Sequence, residues 1–173
     1  GQGLQYNIAY LIDVSGSMGG QRIADAKNAY IELTNQLIDL GIADVANFAV
    51  IPFNSGATLY ADLTAQEAID RIASLSAGGG TSFGPALANA GTFFSSANTG
   101  QTNIAYFLSD GQGSGASDSL KNIANVQAFG IGSGANLSSL NIIDSDNAVA
   151  LNSSAQLVDV LTGSSVDVTD IDR

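Results

Sequence analysis

Asp13, Ser15 and Ser17 place one carboxylate and two hydroxyls at alternate positions of the segment DVSGS, directly after an apolar run. Alternate positions in a loop allow these side chains to turn toward one point. Carboxylate and hydroxyl oxygens are ligands that hard cations such as Mg²⁺ and Ca²⁺ prefer. Asp, Ser and Gly are also common turn formers, so the segment by itself is equally compatible with an Asx-type turn ahead of a helix.

Two later segments offer further oxygen ligands, each at a junction between an apolar run and a helical pattern. GGGTS contains Thr81, and FLSDG contains Asp110. Together with Asp13, Ser15 and Ser17 they complete a set of two carboxylates and three hydroxyls. Neutral hydroxyls leave the charge of a divalent cation poorly neutralised, so the cation would accept an anionic group from outside. This chemistry is that of binding, and it needs neither a base nor a nucleophile.

Catalytic interpretations of the same segments lack necessary partners. Ser82 in GGGTS has no histidine to act as its base, because the chain contains none, and no lysine lies nearby in the sequence. The glycine-rich loop lacks the Lys-Ser/Thr ending of a phosphate-binding loop. Aspartyl phosphotransferases carry a second acid two residues after the first, and that position is Ser15 here. We therefore expect a protein that is not an enzyme.

The composition excludes several classes of partner. Five basic residues face sixteen acidic ones, which gives a net charge of −11. Nucleic acids and anionic membrane surfaces require clustered Lys and Arg, which this chain lacks. There is no cysteine, so disulfides and thiolate zinc sites are excluded. No apolar run approaches the ~20 residues of a membrane span, so membrane insertion is not expected.

The hydrophobic pattern predicts alternating strands and helices, and therefore an α/β fold with a doubly wound, mainly parallel sheet and helices on both faces. Ligands of such sheets bind beyond the carboxyl ends of the strands, where Asp13 and Asp110 are expected. The predicted strands are residues 6–12, 45–53, 58–63, 103–108, 126–131 and 148–151. The predicted helices are residues 21–40, 65–75, 83–94, 117–124, 137–143 and 153–161. Thr64 and Glu67 form a capping-box pattern at the start of the second helix.

The ordered set DVSGS, GGGTS and FLSDG resembles the metal-ion-dependent adhesion site of von Willebrand factor type A domains, and the likeness covers about residues 6–161. It implies a Rossmann-like fold with one short antiparallel edge strand, here residues 58–63. Ser15 and Ser17 would bind the cation directly, and Thr81 directly or through water. Asp13 and Asp110 would act directly or through water and hold the hydroxyls. A carboxylate from a partner would fill the open position.

The resemblance also implies a biological setting. We expect residues 1–163 to form the type A-like domain and residues 164–173 to be a tail or a linker to a next domain. The cation would be Mg²⁺ or Ca²⁺, with Mn²⁺ as a further candidate, and the partner a protein or glycan that offers an acidic group. Few basic residues, no cysteine and much Asn, Ser and Asp resemble modules of bacterial surface adhesins of the repeats-in-toxin (RTX) type that function in biofilms.

Such a module would be secreted or displayed at the cell surface, joined to neighbouring domains, and monomeric when isolated. Two other functions remain open at this point. One is a structural spacer whose metal only stabilises the fold. The other is an accessory subunit of a chelatase or ATPase-type assembly.

The remaining acidic residues have simpler interpretations. Asp25 and Asp118 are expected at solvated helix positions. Five others lack the D-x-D-x-D-G spacing of a calcium loop and are expected to be surface charges: Asp144, Asp146, Asp167, Asp170 and Asp172. Met18, the single methionine, is expected to pack inside.

Overall fold

A computed structural model describes residues 4–96, 101–132 and 134–151, together with residue 156. These residues form six strands and four α-helices. The strands are β1 (Tyr6–Asp13), β2 (Ala46–Phe53), β3 (Tyr60–Leu63), β4 (Thr102–Ser109), β5 (Asn125–Ile131) and β6 (Val149–Leu151). The helices are α1 (Gln21–Asp39), α2 (Ala65–Ala73), α3 (Gly84–Ser96) and α4 (Leu137–Ile143).

The strands form one sheet in the order β3-β2-β1-β4-β5-β6. All neighbouring pairs are parallel except β2 and β3, which are antiparallel. The predicted doubly wound sheet and its antiparallel edge strand are therefore confirmed. The chain first extends the sheet from β1 toward β3 and then returns to the other side of β1 with β4. The connection direction thus reverses between β1 and β4, at the centre of the sheet.

Two hydrophobic clusters cover the two faces of the sheet because successive side chains of a strand point in opposite directions. Ile8, Tyr10 and Ile12 of β1 pack with α1 and α2 on one face. Ala9 and Leu11 pack with α3 and α4 on the other. All eight residues of β1 are buried, which is typical of a central parallel strand. None of the helices in the described part of the chain is long and apolar enough to cross a membrane.

A local signal sets the start of α2. The side chain of Thr64 accepts a hydrogen bond from the backbone N–H of Glu67, whose side chain accepts one from the N–H of Thr64, so the predicted capping box is present. Other boundaries differ from the predictions. The α2 helix ends at Ala73, two residues early, and the helix predicted at 117–124 is only a 3₁₀ turn, Ser119–Asn122. The helix predicted at 153–161 lies outside the described residues, apart from residue 156.

Candidate metal centre

The carboxyl ends of β1 and β4 meet at the centre of the sheet, where the connection direction reverses. In β1 and β4, Ile12 is aligned with Leu108, so Asp13 and Ser109 follow side by side. Asp110 comes directly after the end of β4. Asp13, Ser109 and Asp110 are all buried. Because ligands of doubly wound folds bind at such a reversal, the position of this polar cluster favours a binding site.

The DVSGS loop is organised around the carboxylate of Asp13. Its Oδ1 accepts hydrogen bonds from the backbone N–H of Ser15 at 2.9 Å and from Ser15 Oγ at 2.5 Å. Ser15 Oγ lies 3.2 Å from Ser17 Oγ. The chain then forms a 3₁₀ turn, Gly16–Met18, and the side chain of Met18 is fully buried, as predicted. The loop therefore holds one carboxylate and two hydroxyls together, as their spacing indicates.

Ser109 joins the two strand ends. Its Oγ donates to Asp13 Oδ2 at 2.6 Å and accepts from the N–H of Gly111 at 2.9 Å. Gly111 has a φ of 77°, and a Cβ there would collide with the carbonyl of Asn136, so this turn requires glycine. Asp110 Oδ1 accepts from the N–H of Gln112 at 3.0 Å. Sequence reasoning missed Ser109, although its place just before Asp110 at the end of a strand was a usable signal.

The loop that contains Thr81 reaches the same edge through backbone hydrogen bonds. The N–H of Gly78 donates to Val14 O at 2.7 Å, and the N–H of Gly16 donates to Gly79 O at 2.8 Å. The side chain of Asn54 also donates to Gly78 O at 3.1 Å. Thr81 is half-buried, and its hydroxyl makes no hydrogen bond within the part of the chain that the structure describes. The structure thus places the Thr81 loop against the Ser15 loop, while the Thr81 hydroxyl stays outside the hydrogen-bonded network.

The charges at this edge are unevenly compensated. Burial raises the pKa of Asp13 above its ordinary value, the hydrogen bonds from Ser109 and Ser15 lower it, and the nearby charge of Asp110 raises it further. Asp110 has a cationic partner, Arg22, whose Nη1 lies 3.3 Å from Asp110 Oδ2. Among the described residues Asp13 has only neutral hydrogen-bond donors. Burying a carboxylate without a cationic partner costs free energy, so this geometry favours the binding of a cation beside Asp13.

The donor set fits a hard divalent cation by its chemistry. All its members are oxygens, and octahedral ligands at about 2.1 Å lie about 3.0 Å apart, close to the Ser15–Ser17 oxygen separation. The described residues contain no cluster of three or more Asp, Glu, His or Cys side chains that could hold a metal. Of the five residues in the candidate set, only Asp13 and Asp110 carry charge.

Comparisons with known proteins identify the fold family. A family model described as the von Willebrand factor type A domain matches residues 8–112, more than half of the chain. The chain belongs to this family. The matched segment includes all five residues of the candidate metal centre. Comparison with curated protein sequences gives no match.

Solved structures of type A domains share the architecture at low sequence identity. A von Willebrand factor type A protein from Catenulispora acidiphila is 21% identical, with a TM-score of 0.73 over 93% of this chain and 42% of that one. The pilus adhesin SpaC from Lactobacillus rhamnosus GG is 15% identical, with a TM-score of 0.79 over 95% of this chain and 30% of that one. This type A domain thus spans less than half the length of either protein.

A third similar structure was solved with a metal. It is proximal thread matrix protein 1 from the mussel byssus, described with zinc in its metal-ion-dependent adhesion site (MIDAS) motif. It is 20% identical, with a TM-score of 0.73 over 94% of this chain and 46% of that one. At these identities the three likenesses show the fold alone.

Two acidic residues outside the candidate metal centre, Asp25 and Asp144, were wrongly predicted to be exposed to solvent. Asp25 is buried on α1 and accepts a hydrogen bond from the Gln21 side chain at 2.6 Å. Asp144 is only 6% exposed, and its carboxylate accepts from the N–H groups of Ala128 and Asp146, each at 2.6 Å. Hydrogen bonds from the protein replace water at both carboxylates. Asp118 and Asp146 are exposed, as predicted, whereas Asp167, Asp170 and Asp172 lie outside the described residues.

Proposed function

We propose that this type A domain is a metal-dependent adhesion module of a secreted or cell-surface bacterial adhesin, and that it binds a protein or glycan partner. The residues that would hold the cation are Asp13, Ser15, Ser17, Thr81 and Asp110. The observation that carries the proposal is the buried pair Asp13 and Asp110 at the central strand ends, which have a single Arg between them as cationic partner. The hydroxyls of Ser15, Ser17 and Ser109 join the hydrogen-bonded network around Asp13. Similarity to a pilus adhesin and to a matrix protein with an occupied MIDAS motif supports it.

The chain's own residues would prepare the site. Asp13 accepts a hydrogen bond from the Ser15 hydroxyl, which leaves lone pairs of the Ser15 oxygen free to face a cation. Ser109 fixes the second oxygen of Asp13. A bound Mg²⁺ or Ca²⁺ supplies an electrophilic centre that accepts an anionic ligand. Recognition needs no proton transfer from the protein, and we propose binding without catalysis.

The first test measures metal binding directly. Calorimetric titration with Mg²⁺, Ca²⁺ and Mn²⁺ should give saturable binding to the wild type, and Asp13→Ala should weaken it by at least about a hundredfold. Asp39→Ala is the matched control, because Asp39 is an exposed carboxylate on α1. Far-UV circular dichroism should show that both variants keep their fold. Absence of any divalent-ion binding by the wild type at millimolar concentration would refute the proposal.

The second test separates adhesion from a structural spacer, a role that the likeness to a thread matrix protein favours. The domain is applied to immobilised glycans and matrix proteins in Mg²⁺ or in EDTA. Adhesion predicts capture that EDTA and Asp13→Ala abolish. A domain that binds metal and gains stability from it, but shows no metal-dependent capture, would be a spacer.

A further inference from the structure

Arg22, the second residue of α1, lies at the rim of the candidate metal centre. Its Nη1 is 3.3 Å from Asp110 Oδ2 and donates to the backbone oxygen of Ser17 at 3.2 Å. This is the one ion pair that the structure shows within residues 4–96, 101–132 and 134–151. Both contacts use the same nitrogen. Nε and Nη2 make no hydrogen bond to any residue described.

The surroundings of Arg22 hold its guanidinium in this place. Gly132 has a φ of 96°, and a Cβ at this position would lie 2.6 Å from Arg22 Nε and 2.9 Å from Cζ and Nη2. The guanidinium therefore lies against bare backbone. The Arg22 side chain is 36% exposed, whereas that of Asp110 is 1% exposed. Nη1 thus meets a buried carboxylate, Nε and Nη2 lie against the backbone of Gly132, and the side chain as a whole is partly exposed to solvent.

Positive charge is scarce in this chain, which makes its placement informative. Of the five basic residues, Lys27 donates to Leu75 O at 2.8 Å, and Arg71 lies 4.0 Å above the ring of Tyr60. Lys121 belongs to the 3₁₀ turn Ser119–Asn122, and Arg173 lies outside the described residues. Arg22 is therefore the basic residue that the structure places in contact with the candidate centre.

We propose that Arg22 is both the internal counter-ion of Asp110 and a contact residue for the acidic group of the ligand. The inference rests on the metal site proposed above. A divalent cation and the guanidinium both require the carboxylate of Asp110, so Arg22 lowers the affinity for the cation. Arg22 Nε and Nη2 make no hydrogen bond to any described residue, so these donors remain for a carboxylate of the ligand, and guanidinium favours bidentate pairing with that group.

The first measurement is calorimetric titration of the metal-free domain with Mg²⁺ alone. Arg22→Gln should bind Mg²⁺ at least about tenfold more tightly than the wild type, because a positive charge is removed beside a shared carboxylate. Arg22→Lys keeps the charge and should bind Mg²⁺ like the wild type. Arg71→Gln, which removes a charge away from the site, is the control and should change nothing. Unchanged or weaker Mg²⁺ binding by Arg22→Gln would overturn the counter-ion role.

The second measurement adds a carboxylate probe to the Mg²⁺-saturated domain. Acetate is titrated and followed by the NMR shifts of backbone amides. Arg22→Gln should bind acetate at least about fivefold more weakly, and Arg22→Lys should be weakened as well, since an ammonium lacks the planar fork. Equal acetate binding by wild type and Arg22→Gln would overturn the contact role.

The outcomes also separate this inference from the proposed function. If the wild type binds no divalent cation, the metal site is refuted and the inference falls with it. If the wild type binds Mg²⁺ and Asp13→Ala does not, while Arg22→Gln equals the wild type in both titrations, only the inference about Arg22 is refuted.

Discussion

Two groups of buried polar side chains lie along the same strand, and they differ in charge. The first surrounds Tyr10, near the middle of β1. The Tyr10 hydroxyl is hydrogen-bonded to Thr34 Oγ1 at 2.8 Å. Thr34 Oγ1 donates to the backbone oxygen of Tyr30 at 2.7 Å, and the Tyr30 hydroxyl donates to the backbone oxygen of Leu11 at 2.7 Å. The rings of Tyr10 and Tyr30 stack with centroids 4.7 Å apart. Each hydroxyl is neutral and paired.

The second group surrounds Asp13, at the carboxyl end of β1. Its hydrogen bonds are as short as those of the tyrosines, but it contains two carboxylates and one partly exposed guanidinium. The tyrosine group is complete within the protein, whereas the Asp13 group has an excess of buried negative charge. Hydrogen bonding alone therefore does not separate the two groups, and the difference between them is the uncompensated buried charge of the Asp13 group.

The largest expected effect is the response of the Asp13 group to metal. At a free Mg²⁺ concentration of 100 times the dissociation constant, the free energy of unfolding should rise by about 2.7 kcal/mol, because the ion binds only the folded state. Urea denaturation with Mg²⁺ and with EDTA measures this difference. Asp13→Asn should lose the response, and Tyr30→Phe should keep it. Loss of the response in Tyr30→Phe would mean that the two groups are coupled.

Ser109→Ala tests the link between the two strand ends. The variant removes the donor to Asp13 Oδ2, so Mg²⁺ affinity should fall about tenfold, or about 1.4 kcal/mol. Calorimetry measures the affinity, and Ser74→Ala, at the exposed end of α2, serves as the control. Unchanged affinity in Ser109→Ala would show that Ser15 alone is sufficient to orient Asp13.

Tyr30→Phe tests the opposite region. Removal of a buried hydroxyl that donates to Leu11 O should lower the free energy of unfolding by about 1 kcal/mol and leave the Mg²⁺ affinity unchanged. Urea denaturation and calorimetry give the two values. Tyr60→Phe, on the edge strand, is the matched control and should change stability by less than about 0.5 kcal/mol.

The smallest effect is a dependence on alkaline pH. Burial raises the pKa of Tyr30 well above its ordinary value of 10.0, so the folded state keeps a proton that the unfolded state releases. The resulting stability is complete below pH 10 and declines as pH rises further. Between pH 8 and pH 10.5 the wild type should lose about 0.8 kcal/mol relative to Tyr30→Phe. Denaturation of both proteins at the two pH values measures this loss, and an unchanged difference would contradict the burial of the hydroxyl.

Much of the fold followed from local pattern. The strands around Asp13 and Asp110, α1 and the capping box at Thr64 were predicted because periodicity and capping depend on residues close in sequence. Predictions failed where burial depends on distant elements. The absence of calcium-loop spacing around Asp144 predicts a surface charge, yet its carboxylate accepts a hydrogen bond from the backbone N–H of Ala128 in β5. Likewise Ser119–Asn122 is too short a segment for periodicity to distinguish a 3₁₀ turn from an α-helix.

The amino-acid sequence alone specifies which oxygens are available: Asp13, Ser15 and Ser17 in one loop, Thr81 in a second and Asp110 in a third. Folding places β1 beside β4, links Asp13 to the next strand end through Ser109, and brings Arg22 to Asp110 across 88 positions of sequence. The reason is physical. A side chain's type is local, whereas charge compensation depends on which groups the fold brings within a few ångströms of one another.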